Sequence, residues 1–266
     1  MESDWISFTI WGIIYQNIPW GVMMPIYYAV HLVISPTAHA THVKSKRQLV
    51  QFDNAALCVL PWSVLIGCLV PTALMALPSP QLISHDTHKL FVVIWQPFPL
   101  WVGLCQLIFT KGTRQSNIPE KKAVETSQQR IHKICTLCLR FVVLLNTFLW
   151  YLITFSDNYS WGSSFGEAGL LQKFIKVFIP VPLADKVTVE TLPMGCLALL
   201  QYDAYFACGA SLIWACVLYR RLVGALTLSN FTGWIARSLL YGPGGAALFV
   251  LKSRDDVLFD QTLKED

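Results

Sequence analysis

Asp203 is the residue of this 266-residue chain best placed to do chemistry. It lies near the middle of the apolar run 194–219, and no other Asp, Glu, Lys or Arg sits so deep in such a run. A charge at a bilayer centre costs about 2.5–3.5 kcal/mol on insertion scales, so an acidic residue kept there serves a function or bonds a neighbouring helix. On helical spacing Asp203, Ala207, Ala210 and Trp214 share one face. Small residues there leave room beside the carboxylate, an indole closes the far end, and Tyr202 and Tyr205 flank it. An acid in an apolar, aromatic-lined site is a candidate proton donor. Aromatic faces, worth roughly 0.5–2 kcal/mol each, can stabilise a cation beside them. The aromatic candidates for contact with a substrate are Tyr202, Tyr205 and Trp214 beside the acid, and Trp62, Trp95 and Trp101 near prolines in earlier runs.

Asp53 is the second candidate acid. With Asn54 it opens an apolar run, where it also reads as a helix cap stabilised by the helix dipole. The two carboxylates are not expected to form a dyad, because Asp203 lies about 24 Å from the cytosolic end of its helix at 1.5 Å per residue.

Metal chemistry has weaker support. His132, Cys135 and Cys138 make a lone H-x-x-C-x-x-C without a partner cluster. The pairs His39/His42 and His85/His88 are separated by an apolar run, so they read as ordinary loop histidines. Asp255, Asp256 and Asp260 approximate an Asp-rich magnesium motif, but with three intervening residues rather than two and in a charged tail. No metal site and no cofactor is expected. Six of the eight cysteines lie in apolar runs, where a thiol behaves as a small apolar group.

The elements that must position these residues are membrane helices. Hydrophobic residues make up 54% of the chain and charged ones 14%, against about 25% charged in a soluble domain. Runs long enough to cross a bilayer fall at 8–34, 55–77, 90–110, 134–155, 194–219 and 235–251. The expected architecture is all-α: one transmembrane helical domain over 1–266, with about six crossings, seven if 170–183 also crosses. Pro19, Pro25, Pro61, Pro71, Pro97 and Pro99 should interrupt or kink the first three runs and open an internal pocket. Basic residues concentrate after the first, third and fifth runs, which places those loops in the cytosol and the N-terminus and the Asn158 glycosylation sequon in the lumen. An acidic start argues against a cleaved signal peptide. The net charge of +4 comes without an aromatic-interleaved basic patch, so nucleic-acid binding has no support.

Residues 60–80 (LPWSVLIGCLVPTALMALPSP), Ser35-Pro36-Thr37, 95–106 (WQPFPLWVGLCQ) and 241–248 (YGPGGAAL) resemble fungal membrane-bound terpene cyclases, of the kind found in ascochlorin, macrophorin and indole-diterpene pathways. The resemblance implies cyclisation of a prenyl chain, often carrying a terminal epoxide, on an aromatic or indole head. It also implies a lipophilic substrate, a place in the endoplasmic reticulum membrane and pathway enzymes as neighbours there. It does not fix Asp203 or Asp53 within a motif. Two rival readings stay open: a small transporter or channel with Asp203 as proton or cation site, and a non-catalytic membrane scaffold. The absence of recognisable repeat symmetry weighs against a transporter.

Overall fold

The computed structural model describes residues 2–35, 38–39, 53–113, 120–155, 172, 175, 177–180, 192–224 and 227–264. Asn158 lies outside them. The described residues are helical with no strand, as the composition led us to expect. In chain order they form α1 (Glu2–Asn17), α2 (Trp20–Ile34), α3 (Asn54–Val64), a π-helical turn (Leu65–Leu69), α4 (Val70–Met75), α5 (His85–Trp95), α6 (Phe98–Gly112), α7 (Glu120–Phe155), α8 (Leu192–Val223) and α9 (Leu228–Lys264). Within this one stretch the chain forms two compact units. The first holds residues Met1–Pro19, Ala40–Ile134 and Asp256–Asp266; the second holds Trp20–His39 and Cys135–Asp255.

The first unit is built around a bent antiparallel pair. Asp53 caps α3, its Oδ1 accepting from the backbone of Ala55 at 2.9 Å and Ala56 at 3.2 Å. Pro61 and Pro71 each withhold an N–H, and between them the helix widens: the N–H of Val70 reaches back five residues to the Leu65 carbonyl. At this turn the backbone of α6 crosses so closely that a Cβ on Gly67 would lie 2.5 Å from the Val102 nitrogen. Only glycine fits there. The α3–π–α4 rod stays continuous over 22 residues (Asn54–Met75), long and apolar enough to cross a membrane. Helices α5 and α6 bend by 60° at Gln96–Pro97. They descend beside that rod in steady order: His88 bonds the Met75 carbonyl, Trp95 bonds Thr72, Val102 meets Gly67, and Gln106 bonds the Ala56 carbonyl. The bent pair is therefore one traverse of the rod rather than a loop that turns back. Helix α1 runs along α6 in the opposite sense, with Thr9 against Gly103 and Gly12 against Pro99.

The polar segment 111–133, expected to be a loop, is helical from Glu120. Val124, Ser127 and Cys135 are buried at helical spacing, so one face of this charged stretch packs. Asn54 fastens it to α3: its side chain donates to the Ala123 carbonyl at 3.1 Å, accepts from Ser127 at 3.1 Å, and its own carbonyl accepts from Arg130.

The second unit joins α2, the later part of α7, α8 and most of α9. Helix α8, apolar over Met194–Val223, is the second helix of membrane-crossing length among the described residues, and α5–α6 make a third if counted together. By length and apolarity this is fewer than six. Large apolar side chains point outward all the same: Ile34 is 72% exposed, Ile213 67% and Leu200 63%, as expected of surfaces meeting lipid rather than water.

The run 235–251 is not one straight helix, which corrects the sixth crossing expected above. Gly242 adopts φ 74°, ψ 166°, and Pro243 starts a second segment. The two segments fold against each other. The Arg237 guanidinium sits 5.3 Å from the Phe249 ring centroid, although twelve residues of straight helix would separate them by about 18 Å. Trp234, Ala247 and Val250 share one buried cluster with Ala215 of α8.

Candidate functional site

Asp203 is half-buried on α8, and its Oδ1 accepts from the backbone N–H of Gly21 at 2.6 Å. Pro19 ends the preceding segment, so α2 begins afresh at Trp20 and its first N–H groups lack partners within the helix. The carboxylate of α8 supplies one. The approach is close: a Cβ on Gly21 would lie 2.8 Å from the Asp203 carbonyl oxygen. Among the described residues Asp203 Oδ2 has no hydrogen-bond partner.

The face shared by Asp203, Ala207, Ala210 and Trp214 meets another helix. It is the face on which α2 packs, and Ala207 is fully buried there. Small residues on α8 make room for a second helix backbone, as between membrane helices generally. Trp214 lies eleven residues beyond Asp203, or about 16 Å along the helix. Its ring stacks on Tyr28 with centroids 4.6 Å apart, and its indole N–H donates to His31 Nδ1 at 3.2 Å. An indole nitrogen only donates, so His31 is neutral at that nitrogen. Tyr28 also shares a 2.8 Å hydrogen bond with Ser211. At the far end Arg221 donates to the carbonyls of Leu32 at 3.0 Å and Ala38 at 2.9 Å. Helix α8 thus places an acceptor oxygen at the start of α2 and a guanidinium at its end, where a helix leaves N–H and C=O groups unpaired. Gly21, Tyr28, Ser211 and Arg221 were missed from the sequence. The helix restart after Pro19, which leaves N–H groups in need of an acceptor, is the signal that could have pointed to them.

Tyr202 and Tyr205 do flank Asp203. Tyr202 stacks with Phe206 at 6.3 Å, and Tyr205 donates through its hydroxyl to the Phe178 carbonyl at 2.5 Å. The remaining candidates belong to the first unit. Trp95 donates to Thr72 at 3.0 Å and tilts against Phe98, which Tyr15 also meets. Trp101 bonds the Ile94 carbonyl at 2.8 Å, and Trp62 is largely exposed. Asp53 is occupied as a helix cap.

Among the described residues no three His, Cys, Asp or Glu side chains converge as a metal site. His132 pairs with Asp256 instead, and Asp255 meets Arg254 at 3.1 Å. His85 bonds Ser79, and His39 bonds the Val33 carbonyl. His42 lies outside the described residues.

The chain is 28% identical to terpene cyclase ascI of Acremonium egyptiacum over 94% of its own length and 63% of that relative's. It is 26% identical to terpene cyclase penA of Penicillium crustosum over 89% of this chain and 62% of the relative. To terpene cyclase janA of Penicillium janthinellum the figures are 25% identity, 62% and 40%. The chain therefore spans less than two thirds of the length of these curated relatives. No solved structure matches it. The resemblance read from the apolar, Pro- and Gly-rich motifs thus extends over nearly the whole sequence, and the CtvD-domain family model aligns with residues 4–259. The chain belongs to the CtvD-domain family.

Proposed function

We propose that this chain is a multi-pass membrane terpene cyclase of the endoplasmic reticulum, acting in fungal secondary metabolism on a lipophilic prenyl chain borne by an aromatic or indole-type head. The observation that carries the reading is the carboxyl of Asp203, bonded through one oxygen to the start of α2, on a helix where Tyr202, Tyr205 and Phe206 are its near neighbours in sequence. Three relatives named terpene cyclase support the reaction class.

The chemistry is acid-initiated and requires no metal. The Asp203 carboxyl gives its proton to the epoxide oxygen as the C–O bond breaks, and that oxygen becomes a hydroxyl. The neighbouring alkene supplies the electron pair for the new C–C bond, and the cation moves along the chain until a proton is lost. Aromatic faces stabilise each cationic stage, and a dry site prevents early capture by water. Asp203 is the acid in this reading, and Asp53 holds α3 in place. Pathway enzymes at the same membrane would deliver the substrate and take the product.

Microsomes carrying the protein, given an epoxidised prenyl-aromatic compound in EDTA, test the proposal. A cyclic isomer of the substrate, absent from control microsomes, supports it. Unchanged substrate from full-length, membrane-inserted protein contradicts it. The interrupted helices also suit a transporter, and proton-coupled uptake into vesicles without any cyclic product would favour that reading instead.

A further inference from the structure

We propose that Arg237, Tyr241 and Phe249, at the place where α9 folds back on itself, form a binding site for the headgroup of an anionic membrane phospholipid. Arg237 and Tyr241 stand four residues apart in the first segment of α9 and so share a face. Both meet one ring of the second segment. The Arg237 guanidinium lies 5.3 Å from the Phe249 centroid, and the Tyr241 ring lies 5.2 Å from it at 53°. The fold-back thus gathers a guanidinium and a phenol hydroxyl at one corner and steadies both against an aromatic face.

Among the described residues neither group has a hydrogen-bond acceptor: the guanidinium meets the Phe249 ring, and the Tyr241 hydroxyl bonds nothing. The sequence explains why. From Ala204 to Arg254 the chain carries Arg220, Arg221, Arg237, Lys252 and Arg254, and no Asp or Glu. The described acids of this unit are engaged elsewhere, Asp203 with Gly21 and Asp255 with Arg254. The counter-charge for Arg237 comes from outside these helices.

The surroundings of the corner make that counter-charge a lipid. Phe231, Ile235 and Leu240 of the same segment are exposed, Leu240 at 71%, so Arg237 emerges from an otherwise apolar surface. Its depth follows from α8. Ala247 and Val250, on either side of Phe249 in sequence, pack in one cluster with Ala215, and Trp234 meets Tyr219 edge-on. Phe249 therefore stands near the level of Ala215, five residues or about 7.5 Å of helix inside Arg220. A guanidinium at that depth is costly unless it reaches a phosphate, by extending toward the interface or by drawing a headgroup inward. Its planar fork matches two phosphate oxygens, and the Tyr241 hydroxyl can donate to a third. The corner offers donors and positive charge without an acceptor. A net-anionic headgroup fits it better than phosphatidylcholine, whose ammonium would bring a second cation. The site does not rest on the reaction assigned to Asp203.

The test uses the full chain in phosphatidylcholine nanodiscs containing increasing fractions of phosphatidylinositol, with Tm and retained lipid, counted by native mass spectrometry, as readouts. Wild-type protein should gain Tm as it retains phosphatidylinositol. Arg237→Gln should melt as wild type does in phosphatidylcholine alone, yet need about tenfold or more phosphatidylinositol for half-saturation. Tyr241→Phe should need roughly threefold more, and Arg237→Lys, which keeps the charge without the fork, should fall between. A lower Tm for Arg237→Gln in phosphatidylcholine alone, with an unchanged response to phosphatidylinositol, would make Arg237 a packing residue and overturn the site. Should Arg237→Gln not be recovered folded, Arg237→Lys and Tyr241→Phe decide, and wild-type binding by both overturns it. Inorganic phosphate added to phosphatidylcholine nanodiscs should leave Tm unchanged. A rise equal to that given by phosphatidylinositol would assign the corner to a free anion and overturn the lipid proposal.

Discussion

Two carboxylates in this chain accept backbone N–H groups at helix starts, and they do so by opposite routes. Asp53 caps the helix that follows it, bonding residues two and three positions on. Asp203 serves a helix 182 residues away in sequence, and it commits only one oxygen to the task. The first arrangement is a local folding device that any Asp, Asn, Ser or Thr could supply. The second joins two helices where Gly21 tolerates no bulk, and among the described residues its other oxygen has no partner. A capped helix start therefore does not by itself separate structural from functional carboxylates; what the remaining oxygen faces does.

Substitutions sharpen this contrast, in order of expected effect. Asp203→Ala removes the acid and the partner of Gly21 together. It should reduce cyclic product to the uncatalysed background and lower the amount of folded protein recovered in detergent. Gly67→Ala and Gly21→Ala drive a methyl into backbone atoms at 2.5 Å and 2.8 Å. Overpacking of this kind costs about 1–3 kcal/mol, visible as a lower Tm for both. Gly21→Ala should also reduce turnover per folded molecule because it displaces the carboxyl, whereas Gly67→Ala should not. Equal turnover losses for the two would remove the distinction between the regions. Asp53→Ala should cost about 0.5–2 kcal/mol of stability, with turnover per folded molecule unchanged and Asp53→Asn close to wild type. Loss of turnover in a stable Asp53→Asn protein would transfer the acid role to Asp53. The smallest effect is the one expected of EDTA, which should leave the rate as it was.

The sequence makes helices and local caps legible because both depend on near neighbours. Composition, apolar runs and Pro positions announce an all-helical chain, and Asp53-Asn54 announces its own helix. The charged segment from Glu120 misled because its polar residues outweigh the few that pack, Val124 and Ser127 among them. The reversal at Gly242 was hidden for another reason. Gly-Pro-Gly-Gly inside an apolar run fits a kink as well as a fold-back, and only the contact of Arg237 with Phe249 decides between them. For Asp203 the residue was legible and its setting was not. Helical spacing groups it with Ala207, Ala210 and Trp214, but periodicity cannot say whether a small-residue face meets a ligand or another helix. The partner was a backbone N–H of Gly21, which no side-chain pattern encodes.

In the proposed reading the second oxygen of Asp203 delivers the initiating proton, and Asp203→Asn tests it most directly. The amide oxygen can still accept from Gly21, so α2 keeps its cap and the protein should insert, accumulate and melt as wild type does. It has no proton to give to an epoxide, so cyclisation should fall by about 10²–10⁴-fold or more. The measurement is the initial rate of cyclic product from an epoxidised prenyl-aromatic substrate, per mole of membrane-inserted protein, for the two proteins side by side. A loss of that size with unchanged Tm is the predicted result. A rate within a few-fold of wild type would contradict the claim and leave Asp203 as the tie between α2 and α8.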